Sequence, residues 1–201
     1  MNLFDIAKKT SKEIEEQIKA WNSFSRLSLT GLLWEERLSV ALKNKGFIND
    51  WSPEINHRPG KDWGLTEYPY SFSCKGAVIE KDGRLKISSY RTGKQKTLKE
   101  KLDYHEAPKQ KNFSHYGLII KKKRDPSLQM AAFIDKSCIN AKNLKWTKRL
   151  DKNKKTVWEG HSPHIQMKIE PSMSDQFWYW LDWNELINSN LFYLACQVRR
   201  V

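Results

Sequence analysis

The sequence predicts an α/β protein, a central mixed sheet flanked by helices, and three observations carry that expectation. Two amphipathic helical patterns open the chain. An alternating strand with a hairpin signal behind it follows, and two apolar runs of strand length, 115–121 and 130–134, have the continuous hydrophobicity of strands buried at a sheet centre.

Taken in order, residues 3–25 place Leu3, Ile6, Ile14, Ile18 and Trp21 at helical spacing, with Glu15, Glu16 and Lys19 for the polar side and a break expected near Thr10-Ser11. A second helix is capped by Ser28 or Thr30, lined by Leu33, Leu38, Ala41 and Leu42, and stopped by Gly46. Residues 51–69 are rich in Pro, Gly, Asn and Asp, the composition of turns. Tyr70, Phe72 and Cys74 then alternate with Ser71, Ser73 and Lys75, so the second set shares one face of a strand. Asp82-Gly83 predicts a hairpin turn into a strand over 85–89, and 94–103 a short basic helix. The charged turn 122–126 joins the two apolar strands. The lysine-rich stretch 142–155 reads as a surface segment, 164–169 as a strand, and periodicity does not fix the class of the aromatic region 175–197.

Length bounds the answer to one domain: 201 residues bury one substantial core. Within it the reading is an N-terminal helix (1–27), a catalytic core (28–135) and a DNA-contacting C-terminal part (136–201). No stretch approaches the roughly 20 apolar residues that cross a bilayer, so neither a membrane protein nor a secreted one is expected, and a cytoplasmic location is. Cys74, Cys138 and Cys196 are odd in number and widely spaced, which excludes a disulfide framework or a structural zinc site. The five histidines show no zinc-ligand spacing, and no nucleophile elbow or phosphate-binding glycine loop is present. Net charge is the strongest global signal. Thirty-six Lys and Arg against 23 Asp and Glu leave +13, clustered in 93–124 and 142–155, and a nucleic acid is the natural partner for such an excess.

The chemistry resides in a Glu on a helix, an Asp in a turn-rich segment and a Lys on a strand, in that order. Phosphodiester hydrolysis needs an activated water, neutralised phosphate charge and help for the departing oxygen, and carboxylates holding magnesium beside a lysine meet those needs. The text GKDWGLTEYPYSFSCKG sets Asp62 ahead of a strand whose Ser73 and Lys75 share a face. It resembles the PD-(D/E)xK, restriction-endonuclease-like nuclease superfamily, with Pro59-Gly60-Lys61-Asp62 as the first half-motif and Ser73-Cys74-Lys75 as the second. The preceding GLLWEERLSVALKNKGF is similar to the helix that often opens that fold, with Trp34 as its aromatic and Glu35 as the carboxylate that reaches the metal.

The resemblance spans about residues 28–90, and it implies a restriction-endonuclease-like sheet with the active site at one sheet edge. It implies magnesium held by Asp62 and Glu35, with Glu36 in reserve, and catalysis by Asp62, Lys75, Glu35 and Ser73. Ser73 stands where the family has Asp or Glu, so the main-chain carbonyl of Cys74, or an acid such as Glu54 or Glu67, becomes a substitute ligand. Downstream, Arg91 is placed to read a guanine edge, Ser88, Ser89, Tyr90 and Thr92 to contact phosphates or bases, and Lys94, Lys96, Lys99 and Lys101 to meet phosphates.

Each of these side chains also has an ordinary use: Asp62 capping a turn, Lys75 solvated on a strand, Glu35 and Glu36 favouring a helix dipole, the lysines solvating a helix face. The resemblance implies a type II site-specific deoxyribonuclease acting on double-stranded DNA as a homodimer. Its rivals are a structure-specific or repair nuclease of the same fold and a non-catalytic basic DNA- or RNA-binding protein.

Overall fold

A computed structural model describes residues 1–25, 29, 31–48, 63–92, 94–171 and 175–200, with the side chains of Phe24, Leu32, Trp63 and Tyr90 outside that description. Its elements are α1 (Leu3–Phe24), α2 (Gly31–Asn44), β1 (Trp63–Gly64), β2 (Ser71–Ile79), β3 (Arg84–Arg91), α3 (Leu98–His105), β4 (His115–Lys122), β5 (Asp125–Asp135), a 3-10 turn (Lys136–Cys138), β6 (Lys145–Leu150), β7 (Thr156–His161), β8 (Ile165–Glu170), β9 (Gln176–Asp182), α4 (Trp183–Ile187) and β10 (Phe192–Arg199). One mixed sheet joins the strands in the order β10-β5-β4-β2-β3-β9-β8-β7-β6, with β1 beside β2. The catalytic and C-terminal parts distinguished in the sequence therefore share a single sheet. Among the described strands only β2 and β4 pair in parallel. Parallel neighbours need a long crossover, and the hairpin strand β3 followed by α3 supplies it.

Local chemistry sets the element ends. Asn2 accepts from the Asp5 amide at 2.9 Å while Asp5 accepts from the Asn2 amide, a capping box that opens α1. The expected break near Thr10 does not occur. Thr10 is buried and its hydroxyl donates to Ile6 O at 2.7 Å, so the side chain satisfies itself inside a continuous helix. Gly46 ends α2 region at φ +73° and Gly83 turns the β2–β3 hairpin at φ +82°, both in the left-handed region that favours glycine. Thr97 and Glu100 form the capping box of α3. The candidate caps of α2, Ser28 and Thr30, lie outside the described residues.

The lysine-rich stretch lies at the surface as expected, and its residues 145–150 form the edge strand β6, paired along its length with β7. All of its side chains but the half-buried Trp146 are exposed, which removes the alternation a sequence pattern needs, and lysines on an edge strand discourage pairing with another chain. The region 175–197 resolves into β9, α4 and β10.

Two apolar clusters lie on the two faces of the sheet. On one face α1 and α2 cover β2, β4, β5 and β10, burying Ile14, Ile18, Trp34, Leu38, Phe72 and Phe133. On the other, Tyr116, Ile134, Ile87, Phe177 and Tyr179 are buried beneath α3 and the 106–144 chain. No described helix is long and apolar enough to cross a membrane.

Candidate active site at the fork between β2 and β3

Pairing between β2 and β3 is confined to Ala77–Ile79 with Leu85–Ile87. Beyond that ladder β3 stays with β9 and carries an irregularity between Ser88 and Arg91, the kind of bulge that bends a strand. Residues 73–76 of β2 consequently have no strand on their β3 side among the described residues, while β1 pairs with Phe72 and Ser71 just before them. The result is a fork within the sheet. This corrects the expected position at a sheet edge, since β2 lies between β3 and β4.

Strand alternation places Ser73 and Lys75 on the face of Ala77, and Phe72 and Cys74 on the face covered by α2. Ser73 is fully buried and its Oγ finds no hydrogen-bond partner among the described residues. Lys75 is half-buried, and its Nζ donates to Cys74 O at 3.1 Å. The carbonyl expected as a substitute metal ligand therefore already receives an ammonium, while the Cys74 thiol is buried under α2.

Helix α2 is fixed over this strand by two contacts. Trp34 Nε1 donates to Gly117 O of β4 at 3.2 Å. Gly31 rests on the backbone of Lys75 and Gly76, so closely that a Cβ there would lie 3.0 Å from Gly76 N. Glu35 shares the sheet-facing stripe one turn beyond Gly31, and the helical period sets it on the flank opposite Trp34, away from β4 and towards the fork. Its side chain is buried, with the residue 5% exposed. Among the described residues, no strand flanks 73–76 of β2 on the side away from β4. Glu36 lies further round the helix and is half-buried.

The close approach at Gly31 yields a prediction. Gly31→Ala forces the first turn of α2 off β2, costing about 1–3 kcal/mol as overpacking does and moving Glu35 relative to Lys75. The expected result is a lowered unfolding midpoint, read by thermal melts.

Asp62, the first motif acid, lies outside the described residues, as does Glu54. Glu67 is described and exposed. Among the described residues no group of three His, Cys, Asp or Glu side chains is gathered to hold a metal. The buried Glu35 carboxylate and the buried Ser73 hydroxyl are nonetheless hard oxygen donors of the type magnesium takes. They fit as part of a ligand set to which Asp62 would belong.

The expected DNA-contacting residues divide into two groups. Arg91, Lys94, Lys96 and Lys99 are exposed where β3 leaves the sheet and α3 begins. Thr92 is fully buried, its hydroxyl donating to Asp175 O at 3.2 Å. Lys101 is 3% exposed, ion-paired with Asp175 at 2.7 Å and donating to Thr92 O and Gln95 O. Thr92 and Lys101 thus pin the loop that presents the exposed cations, in place of the phosphate contacts expected of them. Ser88 faces the α2 side of the sheet in register with Trp178, Ser89 is hydrogen-bonded to Tyr179, and the Tyr90 side chain lies outside the described residues.

Two features were not expected from the sequence. On the face of β3, β9 and β8 beside the α1–α2 layer, Lys86 lies 4.4 Å from the Trp178 ring and 5.1 Å from that of Trp180, and Lys168 lies 5.4 Å from Trp180. Strand alternation in 175–197 is the signal that would have placed the tryptophans. The second feature is a buried polar chain, Ser89, Tyr179, His105 and Glu106, for which adjacent His and Glu in the sequence is the only sign.

Burial holds His105 and His115 below the ordinary histidine value of 6.5. Burial opposes ionisation of Glu106, yet the His105 hydrogen bond, the Ala141 amide and the Lys111 ammonium bring it down to about 2. The sign follows from linkage. A histidine kept neutral in the fold is protonated on unfolding below pH 6.5, so stability is lost as pH falls through that value. Unfolding midpoints measured from pH 7 to pH 5 are expected to decline, and His105→Gln to flatten the decline.

No protein-family model, curated protein or solved structure matches the chain. The functional reading therefore rests on the fork itself and on the motif text that runs through it.

Proposed function

We propose that the protein is a magnesium-dependent endonuclease that cuts double-stranded DNA at a defined sequence. The observation that carries this reading is the open stretch of β2, which bears buried Ser73 and half-buried Lys75 on one face, while the helix that covers its other face carries the buried Glu35 carboxylate. An unpaired stretch inside a sheet leaves room for a phosphate that a continuous ladder would fill.

Glu35 and Asp62 are the residues that would hold magnesium, and when bound the ion supplies Lewis-acid stabilisation of phosphate charge and a more acidic water. Lys75 orients the attacking water and places a fixed positive charge beside the oxygens on which negative charge develops. Ser73 adds a hydroxyl where a second acid is the commoner choice. Arg91, Lys94, Lys96 and Lys99 bind the DNA backbone next to the fork, and Arg91 at the strand end is placed for a base edge. A homodimer would bring two forks to the two strands of a palindromic site.

The test is incubation of purified protein with unmethylated phage DNA, with magnesium or with chelator, followed by electrophoresis. Discrete magnesium-dependent fragments support the reading. Intact DNA across substrates and metals rejects it.

One observation favours a second reading. The lysine–tryptophan face of β3, β9 and β8 offers cations and aromatic rings together, the combination that non-catalytic nucleic-acid-binding proteins use for phosphate and stacking contacts. Nucleic-acid binding that is lost on Lys86→Ala and Lys168→Ala but indifferent to Lys75→Ala, without cleavage, would select it.

A further inference from the structure

Four side chains form one continuous hydrogen-bonded chain from the core to the fork. The Tyr179 hydroxyl touches both Ser89 Oγ and His105 Nε2. His105 Nδ1 lies 2.7 Å from Glu106 Oε1, and the Glu106 carboxylate is held by the Ala141 amide at 2.9 Å and by Lys111 at 3.1 Å. His105 has no exposed surface and stacks on Phe177, with ring centroids 4.4 Å apart. Ser89, half-buried at the other end, lies two residues past the last β2–β3 pair, Ala77 with Ile87. Ser89 and Ile87 share a face of β3, and Ala77 and Lys75 share the same face of β2. The chain therefore ends on the Lys75 side of the fork.

Donor and acceptor counting gives the chain a direction. An ionised Glu106 accepts only, so His105 Nδ1 carries a proton; a neutral ring then accepts at Nε2. With the ring in this form the single Tyr179 proton goes to Nε2 and Ser89 donates to the phenol oxygen; the structure itself has the opposite sense, Tyr179 donating to Ser89. If Nε2 becomes protonated, both hydroxyls reverse: the ring donates to Tyr179, and Tyr179 to Ser89. The two arrangements differ by one proton taken up at the Ser89 end.

We infer that Ser89, Tyr179, His105 and Glu106 form a proton relay that accepts the proton of the attacking water at the fork. The inference rests on the nuclease reading. As the water oxygen bonds to phosphorus, the P–O bond to the leaving sugar oxygen breaks, that oxygen takes a proton from solvent water, and the attacking water's O–H bond breaks with its proton passing to Ser89 Oγ. The Ser89 proton moves to Tyr179 and the Tyr179 proton to His105 Nε2, leaving an imidazolium against the Glu106 carboxylate. The reverse path returns the proton to solvent water after the product leaves. Ser89 is the group that meets the water; Tyr179, His105 and Glu106 act through it.

Tyr179→Phe removes one oxygen and keeps the ring, and Ser89→Ala tests the same path at a half-buried position should the first variant fold poorly. Tyr179 and Phe177 from β9 and Glu106 with Lys111 after α3 face His105, so the profile reports on a set that includes them. With magnesium and saturating DNA, both variants are expected to lower kcat at least tenfold, with DNA dissociation constants within twofold of the parent. The acid limb of the pH–rate profile should disappear from both. Imidazole 15N shifts of the parent should show Nδ1 protonated and Nε2 bare, independently of any cleavage. Unchanged kcat and profile in both folded variants, or an Nε2-protonated neutral ring, overturns the relay and leaves the nuclease reading standing. A parent protein that cuts no DNA removes the nuclease reading, and the relay's role with it.

Discussion

Lys75→Ala is expected to leave a folded protein that binds DNA and no longer cuts it, with kcat down by about 10²–10³, the loss typical of removing one preorganised group that stabilises transition-state charge. The side chain is half-buried on a strand whose own hydrogen bonds and neighbours, Phe72, Cys74 and Ala77, hold it in the sheet, so the truncation removes a charge without opening the core. Binding should persist because Arg91, Lys94, Lys96 and Lys99 remain exposed beside the fork. The measurement is single-turnover cleavage with magnesium beside DNA binding with chelator. A variant that cuts at the parental rate would remove Lys75 from the mechanism and leave the fork without its cation.

Trp34→Ala carries the largest expected effect on stability. Trp34 has no exposed surface, lies between α2 and the sheet, and gives its indole N–H to Gly117 O across 83 residues of chain. Truncation of a buried aromatic costs about 3–5 kcal/mol, a large part of the roughly 5–15 kcal/mol that keeps a domain folded. The unfolding midpoint should fall by roughly 6–20 °C for a chain of this length. Trp34→Phe keeps most of the volume and loses the donor, so it should fall by far less. Because α2 also bears Glu35, partly folded Trp34→Ala protein should lose activity even below its midpoint. A shift of under about 2 °C would mean that α2 is held elsewhere.

The legible parts of the fold are those in which local pattern and tertiary demand coincide. Ile6, Ile14 and Ile18 repeat at helical spacing because α1 has one buried face. Phe72 and Cys74 alternate with Ser73 and Lys75 because β2 has a different neighbour on each side, and Asp82-Gly83 turns because Gly83 takes a positive φ. The fork was not legible. It depends on where one ladder stops and another bulges, which no single strand encodes. Charge misled at Lys101, which looks like a phosphate contact until Asp175, 74 residues later, is beside it, and β6 shows no strand alternation because all of its side chains but Trp146 are exposed. Glu35 was readable as a helix carboxylate. Its burial, which sets it apart from Glu36, was readable only once Gly31 and Trp34 had fixed the roll of the helix.

The first helix lies against the last strand: α1 packs on β10, and Arg200 donates to Ser25 O at its foot. During synthesis the amino-terminal helix emerges long before the strand it needs, since β10 comes after every other element. The cluster that seats α1 and α2, and through α2 the Glu35 carboxylate, cannot close until that strand has left the ribosome. A nascent chain that lacks β10 therefore carries α1 and α2 without the strand that completes their seat.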